Sequence, residues 1–272
     1  MPATEVVDLN RQAQRLAEAV REAGAVALSM FKTPLKNWTK GEALSPVSDA
    51  DIAVDVLLRE RLTGDGDGAG IAWLSEESVD DPARLDARYV WIVDPIDGTR
   101  AYIAGLPNWA VSAALVENGR PIAACLYAPV TDEFFFAVAG RGASRNGAAI
   151  AAVPGAELAQ ARIAAPRKFF DRLQAIAPPF VVMPRTHSLA LRLARVAEGT
   201  FDAAIAGGAS HDWDLAAADL LVHEAGGALT SFEGVPVTYN RPVPRHGMLV
   251  AAGRDRHAAL LELFRDERLA SL

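Results

Sequence analysis

Cysteine is almost missing from this sequence: Cys125, in "IAACLYAPV", is the single one in 272 residues. One thiol cannot close an internal disulfide, so a cytoplasmic, reducing location is expected, with Cys125 as a small core residue. Basic charge is also short. Lys and Arg number 27 against 34 Asp and Glu, a formal charge of -7. That balance argues against a surface built for a nucleic-acid polymer and leaves small anionic substrates open. No uncharged stretch approaches the length of a bilayer span, so no membrane partner is expected. The opening "MPATEVVDLNRQAQRLAEAV" carries acidic residues and helical periodicity where a secretory leader would carry a basic cluster and an unbroken apolar run, so no leader is expected there. Several catalytic signatures are missing too. None of the five histidines falls in H-E-x-x-H spacing, and there is no G-x-S-x-G elbow and no Gly-rich loop ending in Gly-Lys-Ser/Thr. Zinc-protease, serine-hydrolase and P-loop readings therefore have no anchor. "GRGASRNG" starts like a dinucleotide fingerprint and loses its final glycine.

What is present is a 51% hydrophobic chain, enough for one large core or two smaller ones sharing an interface. Residues 6–31 place Leu9, Ala13, Leu16, Ala17, Val20, Ala27, Leu28 and Phe31 on one helical stripe. A second helix is expected from about Asp49 to Leu62. After "TGDGDGAG" come the short β-rich runs "IAWLS", "YVWIV", "WAVSAALV", "PIAACLYAP" and "EFFFAVAG", with Asn118-Gly119 as a hairpin signal between two of them. From about residue 156 strands and helices alternate: "ARIAAP", "FVVM", a helix from Ser188 to Glu198, "FDAAIAG", a helix from Asp214 to Ala225, "ALTSF", "GMLVAAG" and a final helix. The expected division is an α+β domain over residues 1–155 and an α/β domain over 156–272.

Carboxylates gather at the ends of these runs. "YVWIVDPIDGTRAY" drives a strand-like segment into Asp94 and Asp97. Asp-Pro and Asp-Gly are common turn dipeptides, so "DPIDG" is compatible with a plain strand ending. A tight turn there would also bring both carboxylates and the Ile96 carbonyl together, a cluster that needs a hard divalent cation such as Mg²⁺. Gly98 and Thr99 would then offer backbone N–H groups to an anion. "WLSEES" ends a second apolar run in Glu76 and Glu77, either a solvated loop or a neighbouring strand end beside the first pair. Asp51, in "SPVSDAD", reads as the third member of a capping box with Ser48, a role compatible with orienting a hydroxyl or a water. In "SHDWDLAAADLLVHEAGG", Asp212 or Asp214 caps a helix, while Trp213 can wedge the helix start and aim Asp214 into a cleft.

Together and in this order, "SPVSDAD", "LSEES", "DPIDGT" and "WDLAAADLLVHEAGG" resemble the inositol monophosphatase superfamily of Mg²⁺-dependent, lithium-sensitive phosphatases. The resemblance implies a layered αβαβα sandwich, an α+β half followed by an α/β half, often dimeric. It further implies two or three Mg²⁺ ions per site. Glu76, Asp94 and the Ile96 carbonyl would hold one, and Asp94, Asp97 and Asp214 a second. Thr99 with Asp51 would polarise the attacking water and Glu77 would support the ligand shell. The expected reaction is hydrolysis of a phosphomonoester without a covalent intermediate.

Branches of the family differ outside these motifs. Gly207 stands where members acting on inositol phosphates carry a Glu. Members acting on 3'(2'),5'-bisphosphate nucleotides have basic residues where this chain has Arg100 and Arg192, although a second Arg expected around Ala206 is absent. A nucleotidase converting adenosine 3',5'-bisphosphate to AMP is the leading expectation, with inositol-1-phosphate or histidinol-phosphate hydrolysis as the alternative. Arg167, Lys168, Arg185 and His211 are candidates for the substrate pocket. The rival from another class is a calcium loop in "DGDGAGIAWLSE", counted from Asp65 with Asp67, Gly70 and Glu76 at ligand or turn positions. Ala69 at a ligand position and the turn-like "ESVDDP" after Glu76 count against it.

Overall fold

The amphipathic stripe near the N-terminus forms α1 (Leu9–Met30), capped by Asp8, whose carboxylate accepts from the Asn10 and Arg11 amides. Its buried face centres on Ala13, Leu16, Val20, Ala23 and Ala27. Leu28, expected on that face, is 41% exposed. At 100° per residue Ala13, Leu16, Val20, Ala23 and Ala27 fall within an arc of about 80°, and Leu28 lies about 100° from its centre, on the solvent side. The computed structural model describes residues 7–41, 45–64, 70–167, 169–170 and 179–265.

An antiparallel ribbon, β1 (Asn37–Lys40) and β2 (Ser45–Ser48), leads into α2 (Asp49–Thr63). The next strands are β3 (Ala72–Ser75), β4 (Tyr89–Asp97), β5 (Ala110–Glu117), β6 (Arg120–Ala128), β7 (Glu133–Val138), β8 (Ala143–Arg145) and β9 (Ala148–Ile150). They form a seven-stranded sheet in sequential order, antiparallel except for the parallel pair β3/β4. A short 3-10 turn (Pro82–Asp86) precedes β4, and a single helical turn, α3 (Thr99–Ile103), follows it. Asn118 and Gly119 join β5 to β6 with φ of 48° and 78°, the left-handed pair that a two-residue hairpin needs.

A second sheet contains β10 (Arg162–Ala164), β11 (Val181–Val182), β12 (Ala203–Ala206), β13 (Gly227–Ser231) and β14 (Leu249–Gly253), in the order β11-β10-β12-β14-β13. Among the described residues its long helices are α4 (Leu189–Ala197), α5 (Asp212–Glu224) and α6 (Arg254–Phe264). The α5 helix starts at Asp212, two residues earlier than the sequence pattern indicates, because His211 takes the cap position.

Period-two alternation in β4 explains the layering. Trp91 and Val93 face α1 and α2, sharing a core with Leu16, Val20, Leu58 and Cys125. Val90 and Ile92 face the other way, into a core with Leu193 of α4, Leu220 of α5 and Ala204 and Ala251 of the second sheet. The far side of that sheet, with Ile163, Ile205 and Val250, is closed by Leu260 and Phe264 of α6. The layers therefore run helix, sheet, helix, sheet, helix, as expected. Among the described residues no helix is long and apolar enough to cross a membrane.

Candidate active site

The end of β4 is a bulge rather than the tight turn expected. Asp94 pairs with Ser112 and Asp97 with Ala110, so three steps on β4 match two on β5. In a regular strand residues three apart face opposite sides. The extra residue at Pro95–Ile96, where proline has no N–H to give the ladder, turns Asp97 back toward Asp94. Both now line one cavity of about 210 Å³ with Ser45, Pro46, Glu76, Gly98, Thr99, Arg100, Arg185, His187 and Asp214. Gly98 sits at φ 96°, and a Cβ there would come within 2.9 Å of the Asn108 carbonyl. Only glycine lets the chain leave the bulge and enter α3 at this place.

Glu76 follows β3, which is parallel to β4, so the two strand ends meet side by side. On α2, Asp55 grips the loop by accepting from Ser75 Oγ at 2.5 Å and Ser78 Oγ at 2.7 Å. Asp214 lies in the first turn of α5, and its Oδ2 accepts from the His211 amide at 2.6 Å. One carboxylate oxygen from each of Glu76, Asp94 and Asp214 lies within 4.8 Å of the others. Asp94 is buried and its Oδ1 has no hydrogen-bond partner. Burial, then the charges of Glu76, Asp97 and Asp214, push its carboxyl well above the usual range. Burial and the charge of Asp97 do the same to Asp214. An all-oxygen cluster with an orphaned buried oxygen fits a hard divalent cation such as Mg²⁺.

Asp97 behaves differently from Asp94. Its carboxylate accepts from Ser188 Oγ at 2.5 Å and from the Ala190 and Leu189 amides at 2.6 and 3.2 Å, so it caps α4 across the junction between the two sheets. Burial raises its pKa, and these bonds with Arg192 oppose the rise.

Asp51 occupies both roles that the sequence left open. Its Oδ2 accepts from the Ser48 amide at 2.7 Å and Ser48 Oγ at 2.6 Å, closing the capping box, while its Oδ1 is 3.2 Å from Thr99 Oγ1. The Thr99 hydroxyl is also 3.0 Å from the Ile96 carbonyl. Glu77 is paired at 2.7 Å with Lys40 Nζ, which also donates to the Glu76 carbonyl at 2.8 Å. Burial lifts the Glu77 carboxyl to about 7 against the pull of Lys40.

The other candidates scatter. Arg192 lines a neighbouring cavity of about 760 Å³ with Arg167, Phe170, Val182 and Met183, its guanidinium donating to the Thr186 carbonyl at 2.9 Å. Arg185 lines both cavities. The His211 ring lies flat on Trp213, centroids 4.7 Å apart, and is not among the residues lining the 210 Å³ cavity. Lys168 and residues 65–69 of the calcium-loop comparison fall outside the described residues. Sequence reasoning missed Lys40 and His187. Neither sits in a recognisable motif, and their place at the site depends on long-range packing.

Residues 9–269 match the family model described as the Inositol monophosphatase family. An inositol monophosphatase of Dictyostelium discoideum is 32% identical over 243 residues, covering 85% of this chain and 88% of that protein. A histidinol-phosphatase of Mycobacterium tuberculosis is 38% identical over 210 residues, 71% of this chain and 76% of that protein. Among solved structures, the extragenic suppressor protein suhB of Bartonella henselae superposes with a TM-score of 0.80 at 27% identity, over 93% of this chain and 98% of that one.

Proposed function

The chain belongs to the inositol monophosphatase family and is a phosphoric monoester hydrolase, and from that premise we propose a Mg²⁺-dependent enzyme that removes the 3'-phosphate of a nucleoside 3',5'-bisphosphate. The observation that carries the metal-dependent reading is the convergence of Glu76, Asp94 and Asp214 within 4.8 Å, beside the Thr99–Asp51 pair. Glu76, Asp94 and Asp214 would hold the cation, with Asp97 and the Ile96 carbonyl completing the shell and Glu77 paired to Lys40 behind it. A divalent ion there supplies charge neutralisation of the phosphate oxygens and a lower pKa for water.

The remaining steps belong to the chain's own groups. Thr99 Oγ1 holds the attacking water, accepts its proton and passes its own to Asp51 Oδ1, 3.2 Å away. The water oxygen attacks phosphorus in line, the ester P–O bond breaks, and the leaving alkoxide takes a proton from solvent. No covalent enzyme intermediate forms. Gly98, Thr99 and Arg100 line the small cavity at the start of α3 and would face the phosphate there.

For the leaving group, the lining of the neighbouring 760 Å³ cavity supports a nucleotide: Arg167 and Arg185, with Arg192 behind them, would meet a second phosphate, and Phe170, Val182 and Met183 give an apolar wall for a base. Gly207 offers no carboxylate to grip ring hydroxyls. Histidinol phosphate is the second reading, favoured by the 38% identical relative of that name. We further propose a cytoplasmic homodimer, as the reducing-compartment argument from buried Cys125 and the family resemblance support.

The test is a substrate panel of adenosine 3',5'-bisphosphate, inositol 1-phosphate and histidinol phosphate with Mg²⁺, then with lithium added. The expected result is the highest kcat/KM on the bisphosphate, loss of activity in chelator, and lithium inhibition. Preference for histidinol phosphate would replace the substrate, and no metal-dependent hydrolysis of any ester would overturn the catalytic reading.

A further inference from the structure

Glu76 and Asp214 come from opposite halves of the chain, and carboxylates that repel each other need something other than themselves to hold them at one spacing. The segment 240–246 forms a strap over the start of α5. Asp212, fully buried, accepts the Asn240 amide at 2.7 Å on Oδ2 and meets His246 Nε2 at 2.7 Å on Oδ1. Its own amide donates to the Pro244 carbonyl at 3.1 Å, and the His246 amide donates to the Ser210 carbonyl at 2.8 Å. Asp214 is two residues further along the same helical turn.

From the other side, Arg84 reaches this strap from the loop that carries Glu76. Arg84 as a whole is 2% exposed. It forks onto Asp80 at 2.5 and 2.9 Å, and its Nη1 donates to Asn240 Oδ1 at 2.7 Å and to the Arg241 carbonyl at 3.1 Å. Asn240 answers by donating from Nδ2 to the Arg84 carbonyl at 2.9 Å. Asn240 adopts φ 57°, a left-handed conformation that asparagine tolerates better than most residues. The hydrogen bonds thus run without a gap from Asp80 through Arg84 and Asn240 to Asp212, linking the segment after Glu76 to the helix turn bearing Asp214.

We infer that Arg84 and Asn240 are positioning residues: their reciprocal pair sets the separation of Glu76 from Asp214 and thereby the affinity of the cluster for a divalent cation. This rests on the metal-dependent reading of the site. Asp55 fixes the Glu76 loop to α2 within its own half, so the Arg84–Asn240 pair is the part of the linkage that crosses to α5. Partners that orient ligands from behind commonly change metal affinity by about 10- to 100-fold when removed.

The experiment measures binding of Mn²⁺ alone by electron paramagnetic resonance of the free ion, with folding followed by circular dichroism. Asn240→Gly keeps the left-handed backbone and its amide bond to Asp212 but deletes both links to Arg84. Arg84→Lys keeps the charge but cannot fork onto Asp80 and reach Asn240 together. Each is expected to weaken Mn²⁺ binding by about 10-fold, the double variant no more than the larger single, and turnover is expected to recover at saturating Mg²⁺. Glu22→Gln, which breaks the pair between α1 and Arg61 of α2, serves as the control and is expected to leave Mn²⁺ affinity unchanged. Wild-type affinity in either folded variant, or additive losses in the double, overturns the inference. A wild-type protein that binds no Mn²⁺ overturns the metal-dependent reading and this inference with it.

Discussion

Replacing Asp94 by asparagine separates what the site costs the fold from what it gives the reaction. The nearest oxygens of Glu76, Asp94 and Asp214 lie within 4.8 Å of one another. Two unit charges at that separation repel by about 3 kcal/mol at an effective dielectric of about 20. Asp94 faces two such neighbours, and Oδ1 accepts no hydrogen bond that the substitution would forfeit. Discounted for solvent screening through the open cavity, the net gain from removing the charge in metal-free protein is about 2–4 kcal/mol. At about 2–4 °C per kcal/mol for a chain of this size, Asp94→Asn is expected to melt roughly 4–16 °C higher than wild type in chelator at pH 7. Adding Mg²⁺ closes most of that gap. Wild type gains about 2.7 kcal/mol when the ion stands at about 100 times its Kd, and the variant gains little because its central charge is gone. Thermal unfolding by circular dichroism, with and without Mg²⁺, reads both quantities, and phosphate release reads the expected loss of turnover. A variant less stable than wild type in chelator, or equal stabilisation of both proteins by Mg²⁺, would refute the account of the cluster as mutually repelling ligands.

Thr99→Ala deletes the hydroxyl between Asp51 and the Ile96 carbonyl, and kcat is expected to fall by about 10²- to 10⁴-fold with KM changed far less. An unchanged kcat in steady-state assays would take Thr99 out of water activation. Asp219 is buried against Tyr239, whose hydroxyl donates to it at 3.0 Å, and burial lifts its carboxyl from 3.8 to about 6. Between those values the folded protein binds more protons than the unfolded chain, so this group makes stability fall by about 3 kcal/mol as pH rises from about 4 to 6, with no further change above. Asp219→Asn can still accept from Tyr239, and the variant is expected to lose that part of the pH dependence and to melt higher than wild type at pH 8. An unchanged Tm difference between pH 4 and pH 8 would contradict it.

The sequence made the layers legible because β4 and its neighbours alternate cleanly. Trp91 and Val93 mark one face and Val90 and Ile92 the other, and the turn at Asn118-Gly119 announces its hairpin. The clustering of Glu76, Asp94 and Asp214 was legible for a related reason: strand ends and helix starts are where backbone geometry aims side chains into clefts. The bulge at Pro95–Ile96 was not, because a bulge is a relation between two strands and shows only against β5. Asp97 likewise reads as a plain ligand until Ser188, 91 residues later, is seen to donate to it. His211 as the α5 cap was hidden by two nearby aspartates that are better caps by type. Lys40 reaches Glu77 only through the β1–β2 ribbon, which no local pattern connects to the site.

Two aspartates that sequence spacing treats alike thus become chemically unequal in the fold. Asp97 is met by three donors at the start of α4, where backbone N–H groups and the helix dipole favour negative charge. Asp94 is met at Oδ1 by none, and its neighbours are carboxylates. Burial and neighbouring charges therefore push the Asp94 carboxyl well above its ordinary range, while at Asp97 the Ser188, Ala190 and Leu189 donors oppose the rise. Helix α5 contributes in the same sense, since Asp214 lies in its first turn and accepts the His211 amide. The second half of the chain thus supplies more than the Asp214 carboxylate. It presents two helix starts to a group of acids carried largely by the first, which leaves Asp94, at the centre, as the position where a cation has the most to gain.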